Sequence, residues 1–260
     1  QLNLQYFNAV LSGTAADLVA ALTGIAFFSE GEGSKITITD SPTLEQLKTI
    51  CSWGAPAGFT AWDIILNDSS RALSGTAADL AAALTGITDY QGAIHILDSP
   101  TLEQLKTINM GSVGDITLND SSRVLSGTAA DLVDAFAKLT WDENEDGIVD
   151  FEEFRGGDGG IVGYTGNVFV NDEINGAPSG FLVNQVAVLM SATSGSVALS
   201  GTTAYLIEIL DQVQGVFAPG AQAGDPRASL NITITDSPTL DQLLIINTLS
   251  RVNCTLRDSS

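Results

Sequence analysis

The chain has 260 residues, of which 44% are hydrophobic, and its 31 acidic residues outnumber 10 basic ones to give a formal net charge of −21. This length and composition can bury a substantial core, which excludes a disordered chain. The acidic surplus argues against a nucleic acid or an anionic membrane as partner, and it favours cations. Because no run approaches the ~20 apolar residues of a membrane helix, the sequence predicts no membrane span.

Two sequence phrases recur along the chain. Phrase A is Leu-Ser-Gly-Thr-Ala-Ala-Asp-Leu and phrase B is Asp-Ser-Pro-Thr-Leu. Phrase A stands at residues 11–18, 73–80 and 125–132, and phrase B stands at 40–44, 98–102 and 236–240. Repetition on this scale indicates stacked supersecondary units, which build scaffolds more often than catalytic clefts.

Short runs of alternating β-branched residues predict the strands. Most runs are apolar on one side and polar on the other, so we expect one face of the sheet to meet solvent. In chain order the predicted strands begin with a degenerate copy at Leu2–Phe7 and then near residues 36, 64, 94, 116, 168, 197, 232 and 253.

Both phrases are predicted to start helices. In phrase A, Thr14 can cap the helix, and Asp17 three residues later resembles a capping box. In phrase B, we expect Ser41 to cap the helix and Pro42 to take the first helical position, where its missing N–H costs nothing.

Strands alternating with helices predict an α/β fold. The expected architecture is a curved right-handed solenoid of strand-helix repeats, similar to leucine-rich repeats, whose parallel sheet has one solvent-exposed face. A doubly wound sheet would need two apolar strand faces and a glycine-rich phosphate turn. The predicted domains are an N-terminal repeat array over 1–140, an EF-hand-like calcium loop insertion over 141–160, and a C-terminal array over 161–260 that continues the same solenoid.

The sharpest local motif is the twelve-residue run 142–153, which matches an EF-hand loop with Gly147 at its sharp turn. Hard oxygen ligands at this spacing suit Ca²⁺. The predicted calcium ligands are Asp142, Asn144, Asp146, Ile148 through its backbone carbonyl, Asp150 and Glu153. Sensor proteins pair two such loops and open a Met-rich groove, so a single loop in a chain with two methionines fits a structural ion better.

Aspartates end most of the predicted strands. If the strands stack in register, these carboxylates lie about 5 Å apart and repel by roughly 3 kcal/mol at an effective dielectric near 20. Either the N–H groups of helix N-termini or bridging cations must offset this repulsion. The strand-end aspartates are Asp40, Asp68, Asp98, Asp120, Asp172, Asp236 and Asp258.

No catalytic constellation stands out, and the sequence predicts that the chain is not an enzyme. A hydrolase triad would depend on His95, which is the single histidine. That residue falls at a solvent-side position in the middle of a predicted strand, so we expect a surface or packing role for it.

The terminal strands carry the prediction of a partner. An exposed terminal strand offers unpaired N–H and C=O groups to a neighbour. The chain is therefore either a fragment of a longer array or a subunit that docks end to end with itself, through strands near Leu2–Phe7 and Val252–Asp258. Cys51 and Cys254 match no metal or redox spacing, and a disulfide between subunits is compatible with a fibre.

The two phrases resemble those of large, repetitive secreted surface proteins of cyanobacteria, over residues 10–135 and 196–260. Residues 142–153 separately resemble EF-hand and dockerin-type calcium loops, although the second loop of a dockerin is missing. The resemblance implies an extracellular, cell-surface or matrix role. We therefore expect a calcium-stabilised structural protein that assembles head to tail into a filament or surface layer. The alternative is a cell-surface adhesin segment that binds a glycan or a partner cell.

Overall fold

The computed structural model describes residues 2–4, 10–23, 25–28, 35–54, 63–87, 89–136, 160–174, 180–216, 228–248 and 252–257. Over these residues the chain is an α/β protein with parallel sheets, which confirms the fold class at that level. The helices are α1 (Ala15–Thr23), α2 (Leu44–Gly54), α3 (Ala77–Leu84), α4 (Leu102–Gly111), α5 (Ala129–Phe136), α6 (Gly180–Ala192), α7 (Thr203–Val216) and α8 (Leu240–Thr248).

The strands are short, and most of them directly precede a helix. They are β1 (Leu2–Leu4), β2 (Val10–Gly13), β3 (Ile25–Phe28), β4 (Lys35–Ile38), β5 (Asp63–Leu66), β6 (Leu73–Gly75), β7 (Ile94–Ile96), β8 (Asp115–Leu118), β9 (Leu125–Gly127), β10 (Gly160–Ile161), β11 (Val168–Ile174), β12 (Ser196–Gly201), β13 (Ser229–Ile234) and β14 (Val252–Leu256).

The chain divides into two compact units, one of residues 1–119 with 158–160 and one of residues 120–157 with 161–260. In the first unit, β2, β4 and β5 lie side by side in one parallel sheet, and β6, β7 and β8 lie side by side in another. β1 pairs in parallel with β3. Helices α1 to α4 pack against one another in chain order.

The second unit repeats this arrangement around a single larger sheet. Its strands follow the order β9, β11, β12, β13, β14, and all of them are parallel. Helices α5 to α8 pack against one another in the same sequence. Strands that are consecutive in this series are therefore also neighbours in space, because a helix or loop returns the chain to the same end of the sheet each time.

Strand burial alternates along the chain as the sequence predicts. Ile36 and Ile38 of β4 are fully buried, whereas Lys35 is exposed and Thr37 is half-buried. The same alternation holds in β13, where Ile232 and Ile234 are buried. In these two strands the apolar side is buried and the other side is more exposed, as a half-buried sheet requires.

The structure adds strands that the sequence pattern did not reveal. The Leu-Ser-Gly start of phrase A forms β6 and β9, and in its first copy it lies within β2. Serine and glycine carry little intrinsic strand preference, so pairing with the neighbouring strand decides their conformation.

The start of the phrase B helices also differs from the prediction. Thr101, and not the preceding serine or proline, is the N-cap of α4, and its side chain and that of Gln104 form a reciprocal capping box. Thr43 and Gln46 make the same pair of hydrogen bonds before α2. The hydroxyl of Ser41, the predicted cap, instead donates to the carboxylate of Asp68 and so bonds to the loop after β5. The Thr-x-x-Gln box satisfies two orphan amide groups, which a serine two residues earlier cannot reach.

Candidate functional site

The six predicted calcium ligands lie outside the described residues. They are Asp142, Asn144, Asp146, Ile148, Asp150 and Glu153, within the segment 137–159. Across the described ranges, no group of three or more His, Cys, Asp or Glu side chains is placed to hold a metal ion. The calcium site therefore stays a prediction from the loop pattern.

Four of the strand-end aspartates accept hydrogen bonds from the starts of helices in the preceding repeat. In each case the carboxylate lies beside the first N–H of a helix that began 21 to 43 residues earlier. The pairs are Asp40 with Ala15 at 2.7 Å, Asp98 with Ala77 at 2.7 Å, Asp172 with Ala129 at 2.6 Å, and Asp236 with Thr203 at 2.8 Å. This is the helix-terminus alternative, and it offsets the carboxylate charge with an orphan donor and the helix dipole.

Asp68 and Asp120 have a different role, since each closes a tight turn of sequence Asp-Ser-Ser-Arg. Oδ1 of Asp68 accepts from the amide of Ser70 at 3.1 Å and from its hydroxyl at 2.7 Å. Asp120 and Ser122 make the same two bonds at the same distances. The hydroxyl of Ser41 lowers the pKa of Asp68 most, followed by the hydroxyl and the amide of Ser70. The hydroxyl and the amide of Ser122 likewise lower the pKa of Asp120. The seventh aspartate, Asp258, lies outside the described residues.

A Tyr-x-Gly segment packs on each Asp-Ser-Ser-Arg turn through hydrogen bonds. The sequence analysis did not predict these segments. The hydroxyl of the buried Tyr90 donates to the carbonyl of Arg71 at 2.5 Å, and the amide of Gly92 donates to Ser69 at 2.7 Å. Tyr164 and Gly166 dock in the same way on the turn 120–123. A Cβ at Gly92 would overlap the carbonyl oxygen of Arg71, so only glycine fits there. The repetition of Asp-Ser-Ser-Arg at 68–71 and 120–123 is the sequence signal from which these docking turns could have been predicted.

His95 lies at an exposed position in β7, as the sequence predicts. Its Nδ1 is 2.5 Å from Oγ1 of Thr117 on the neighbouring strand. The described residues thus give this imidazole a surface role on the sheet, next to a hydroxyl group.

The contact between α2 and the phrase A module β6-α3 shows how one repeat joins the next. Cδ2 of Leu44 fills the space over Gly75, where an added Cβ would lie 2.5 Å from it. Nζ of Lys48 pairs with Oδ1 of Asp79 at 2.6 Å. This hydrogen-bonded ion pair raises the pKa of Lys48 and lowers that of Asp79. The contact therefore combines a leucine side chain packed over a glycine with a hydrogen-bonded ion pair.

The third element of this contact is a cysteine. Sγ of Cys51 donates to the carbonyl oxygen of Ala83 at 3.1 Å, and both residues are buried. Burial raises the pKa of the Cys51 thiol to about 12. Both cysteines are free thiols, but Cys51 lies behind α3, so it is not placed to bridge to another molecule.

The first phrase A module has the same sequence but an open surface. Asp17 and Ala21 of α1 are exposed, whereas their counterparts in α3 are half-buried and fully buried. Of the atoms that the structure describes, the nearest to a Cβ added at Gly13 lies 3.8 Å away and belongs to Leu18 of the same module. We call Gly13, Asp17 and Ala21 the head surface.

The last repeat of the second unit has an open apolar surface. Leu240 and Leu244 of α8 are 83% and 62% exposed, and Asn247 one turn later is exposed. On β14, Cys254 is exposed and Leu256 is 54% exposed, although both align in register with the buried Ile232 and Ile234 of β13. We call Leu240, Leu244, Asn247, Cys254 and Leu256 the tail surface.

Comparisons with known proteins add little to this geometry. No family model and no curated protein matches the sequence. A crystal structure of a HpcH/Hpal aldolase/citrate lyase family protein from Burkholderia cenocepacia J2315 is similar at 11% identity, over 95% of this chain and 87% of that one, with a TM-score of 0.20. A match at this level assigns neither a fold nor an activity to this chain. The name of this neighbour is that of an enzyme family, so the comparison gives no support to the prediction that the chain is not an enzyme, and that prediction is withdrawn.

None of the described helices is both long enough and apolar enough to span a membrane.

Proposed function

We propose that this protein is an extracellular structural protein, a calcium-stabilised solenoid subunit that assembles head to tail into a filament or surface layer. In this proposal the strand-helix repeats form a curved right-handed solenoid of the leucine-rich-repeat type. The assembly uses the terminal parts of the chain, near Leu2–Phe7 and Val252–Asp258.

The tail surface is the observation that carries the proposal. A contiguous exposed apolar face is a site at which other molecules associate. Here the exposed face of α8 and β14 is apolar, and within the described residues β14 pairs on one side only, with β13. An open strand edge beside exposed leucines is a template for another chain.

Two further features of the sequence support the setting. The net charge of −21 suits a protein that binds cations, and the loop 142–153 supplies carboxylate oxygens at calcium-binding spacing. The resemblance of both phrases to secreted surface proteins supports an extracellular location.

Assembly is tested by sedimentation velocity and negative-stain microscopy of the purified chain over a range of concentrations, with calcium and with chelator. We expect polymers that grow with protein concentration and that are shortened or lost with chelator. A monodisperse monomer at every concentration would refute the assembly.

The structural ion is tested separately by thermal unfolding. Asp142→Ala combined with Glu153→Ala removes the first and last loop ligands and should lower the melting temperature in calcium to that of the chelated wild type. The charge-matched control is Asp115→Ala combined with Asp211→Ala, which changes two exposed aspartates elsewhere. If chelator leaves the wild-type melting temperature unchanged, the structural ion is refuted.

A second candidate, an adhesin segment, has one observation in its favour. The solvent side of the second unit carries an uncharged row in which Nδ2 of Asn253 donates to Oδ1 of Asn231 at 2.9 Å. Ser200, Thr233 and Thr255 align in register next to this pair. Amide and hydroxyl groups of this kind bond sugar hydroxyls, so a monomer that is retained on a glycan array, and released by Asn231→Leu, would favour the adhesin.

A further inference from the structure

We propose that the tail surface of one copy of this chain docks on the head surface of a second copy, in the geometry of the internal contact between α2 and β6-α3. The inference rests on the assembly proposed above and names its interface. It pairs Leu240 with Gly13, Leu244 with Asp17 and Asn247 with Ala21.

The head side of this pairing follows from sequence identity between modules. Residues 11–18 and 73–80 are the same eight amino acids, so Gly13 and Asp17 occupy the positions of Gly75 and Asp79. Leu44 fills the space over Gly75, while among the described residues no side chain of a neighbouring repeat lies within 4 Å of the equivalent point over Gly13. The first module therefore keeps an unfilled leucine site.

The alanine position gives the same result independently. Ala83 of α3 and Ala135 of α5 are both fully buried, whereas Ala21, the corresponding residue of α1, is exposed. A surface that is covered in two copies of one phrase is thus open in the third. The covering group in the second copy is α2, a phrase B helix.

The tail side follows from the alignment of the phrase B helices. The shared Asp-Ser-Pro-Thr-Leu places Leu240 of α8 at the position of Leu44 in α2, and Leu244 at the position of Lys48. In α2 these two positions contact the next module, through Gly75 and Asp79. In α8 the same two positions, Leu240 and Leu244, are exposed to solvent. Within the described part of the chain Leu240 therefore has no glycine to pack over, whereas Leu44 packs over Gly75.

Position 244 differs between the two contacts, because α8 has a leucine where α2 has Lys48, and this difference provides the test. Lys48 forms an ion pair with Asp79, but Leu244 would face Asp17 without a countercharge. The contact between copies is therefore weaker than the contact within the chain. Restoring the lysine should strengthen it, which nonspecific association of exposed leucines would not do.

The neighbouring strand extends the interface and supplies a reporter. By strand register Cys254 of β14 corresponds to Ile64 of β5, which is buried, because Cys254 pairs with Ile232 as Ile64 pairs with Ile36. Docking of a second copy in the same geometry covers the Cys254 thiol. Cys51, which is already buried within its own molecule, serves as the internal reference.

The first experiment measures the concentration at half-assembly for variants of the full-length chain. Leu240→Asp should raise it tenfold or more, since the charge would enter an apolar site. Leu244→Lys should lower it about two- to fivefold at low salt, the range of a surface ion pair, and adding Asp17→Lys should abolish that gain. The matched controls are Leu97→Asp and Val124→Lys, which change exposed apolar residues outside both surfaces.

The second experiment tests directionality by mixing two blocked variants. Gly13→Val fills the leucine site and Leu240→Asp disables its partner, so each variant alone should be monomeric. Their mixture retains one intact head and one intact tail, and should form a heterodimer that grows no further, with Cys254 of one component protected from alkylation. A symmetric interface would give no complementation.

The outcomes separate the interface from the assembly. If polymers form but Leu240→Asp and Leu244→Lys behave like their controls, or if Leu244→Lys weakens assembly as Leu240→Asp does, the interface is wrong while the assembly stands. If the wild-type chain stays monomeric, both fail. Far-ultraviolet circular dichroism confirms that each variant is folded, and if Leu240→Asp fails to fold, Gly13→Val on the opposite surface decides the question.

Discussion

The carboxylate of Asp98 accepts a hydrogen bond at 2.7 Å from the backbone N–H of Ala77, which lies 21 residues earlier in the chain. Asp98 follows β7, whereas Ala77 opens α3 in the preceding repeat. The side chain of Thr76 is the local N-cap and accepts from the amide of Asp79. The start of α3 is thus completed by a residue that only the next repeat can supply.

We expect Asp98→Ala to lower the free energy of unfolding by about 1 kcal/mol, because the N–H of Ala77 loses its partner. Asp98→Asn keeps the acceptor without the charge, so its free energy of unfolding should lie between those of the wild type and Asp98→Ala. Urea denaturation of the three proteins measures the differences. The control is Asp115→Ala, an exposed aspartate of the same unit, and equal losses in Asp98→Ala and this control would contradict the assigned cap.

Gly92 provides a test of the Tyr-x-Gly docking. In Gly92→Ala the new Cβ overlaps a carbonyl oxygen of the backbone, which cannot move as a flexible side chain can, so we expect a loss of about 3 kcal/mol. Gly13→Ala places the same atom at ordinary van der Waals distance, 3.8 Å from Leu18, and should change stability by less than about 0.5 kcal/mol. Chemical denaturation at a monomeric concentration measures both. Similar values for the two variants would show that the segment does not dock on Arg71.

The buried tyrosines predict a loss of stability in alkali. Burial raises the pKa of both Tyr90 and Tyr164 to about 12, above the value near 10 of an unfolded tyrosine. Above pH 10 the unfolded chain releases these protons while the folded chain holds them, so stability falls as pH rises from about 10 to 12. Absorbance at 295 nm should show two of the four tyrosines ionising only as the protein unfolds. Ionisation of all four near pH 10 in the folded state would contradict this.

The two thiols should differ in reactivity. Cys254 is exposed, whereas burial raises the pKa of Cys51 to about 12 and leaves almost no thiolate at pH 8. A disulfide reagent added to dilute protein should titrate one thiol at once and the second only in denaturant. Cys254→Ser should remove the fast phase and serves as the control. Two fast thiols would mean that α3 does not cover Cys51.

Much of the fold follows from local pattern. The predicted strands near residues 36, 94 and 232 appear as β4, β7 and β13, because isoleucine alternating with a polar residue favours one buried side wherever it occurs. The strand at Leu73–Gly75 could not be foreseen, since its conformation comes from pairing with β7 and not from its own residues. The same limit explains the cap of α4, where Thr101 and Gln104 outcompete the serine and proline that precede them.

The site residues divide in the same way. Helix capping by the strand-end aspartates was one of two predicted arrangements, and the repeat phrase alone could not choose between them. The choice depends on which helix lies beside each carboxylate, and the pairs Asp40–Ala15 and Asp236–Thr203 join different repeats. The docking of Tyr90 and the exposure of Leu240 are likewise properties of neighbouring modules.

The two phrases complete their helices from different sources, and this decides where the sequence tolerates a junction. A phrase B helix closes its start with residues three apart, as Thr101 and Gln104 do, whereas a phrase A helix borrows a carboxylate from the strand after it. Cutting directly behind a phrase A helix removes the carboxylate that accepts from its first N–H, while cutting behind a phrase B helix leaves the phrase A helix before it with its acceptor. The smallest exchangeable block for building shorter or longer versions is therefore an A–B pair, and a chimera spliced directly behind a phrase A helix begins with an unsatisfied N–H.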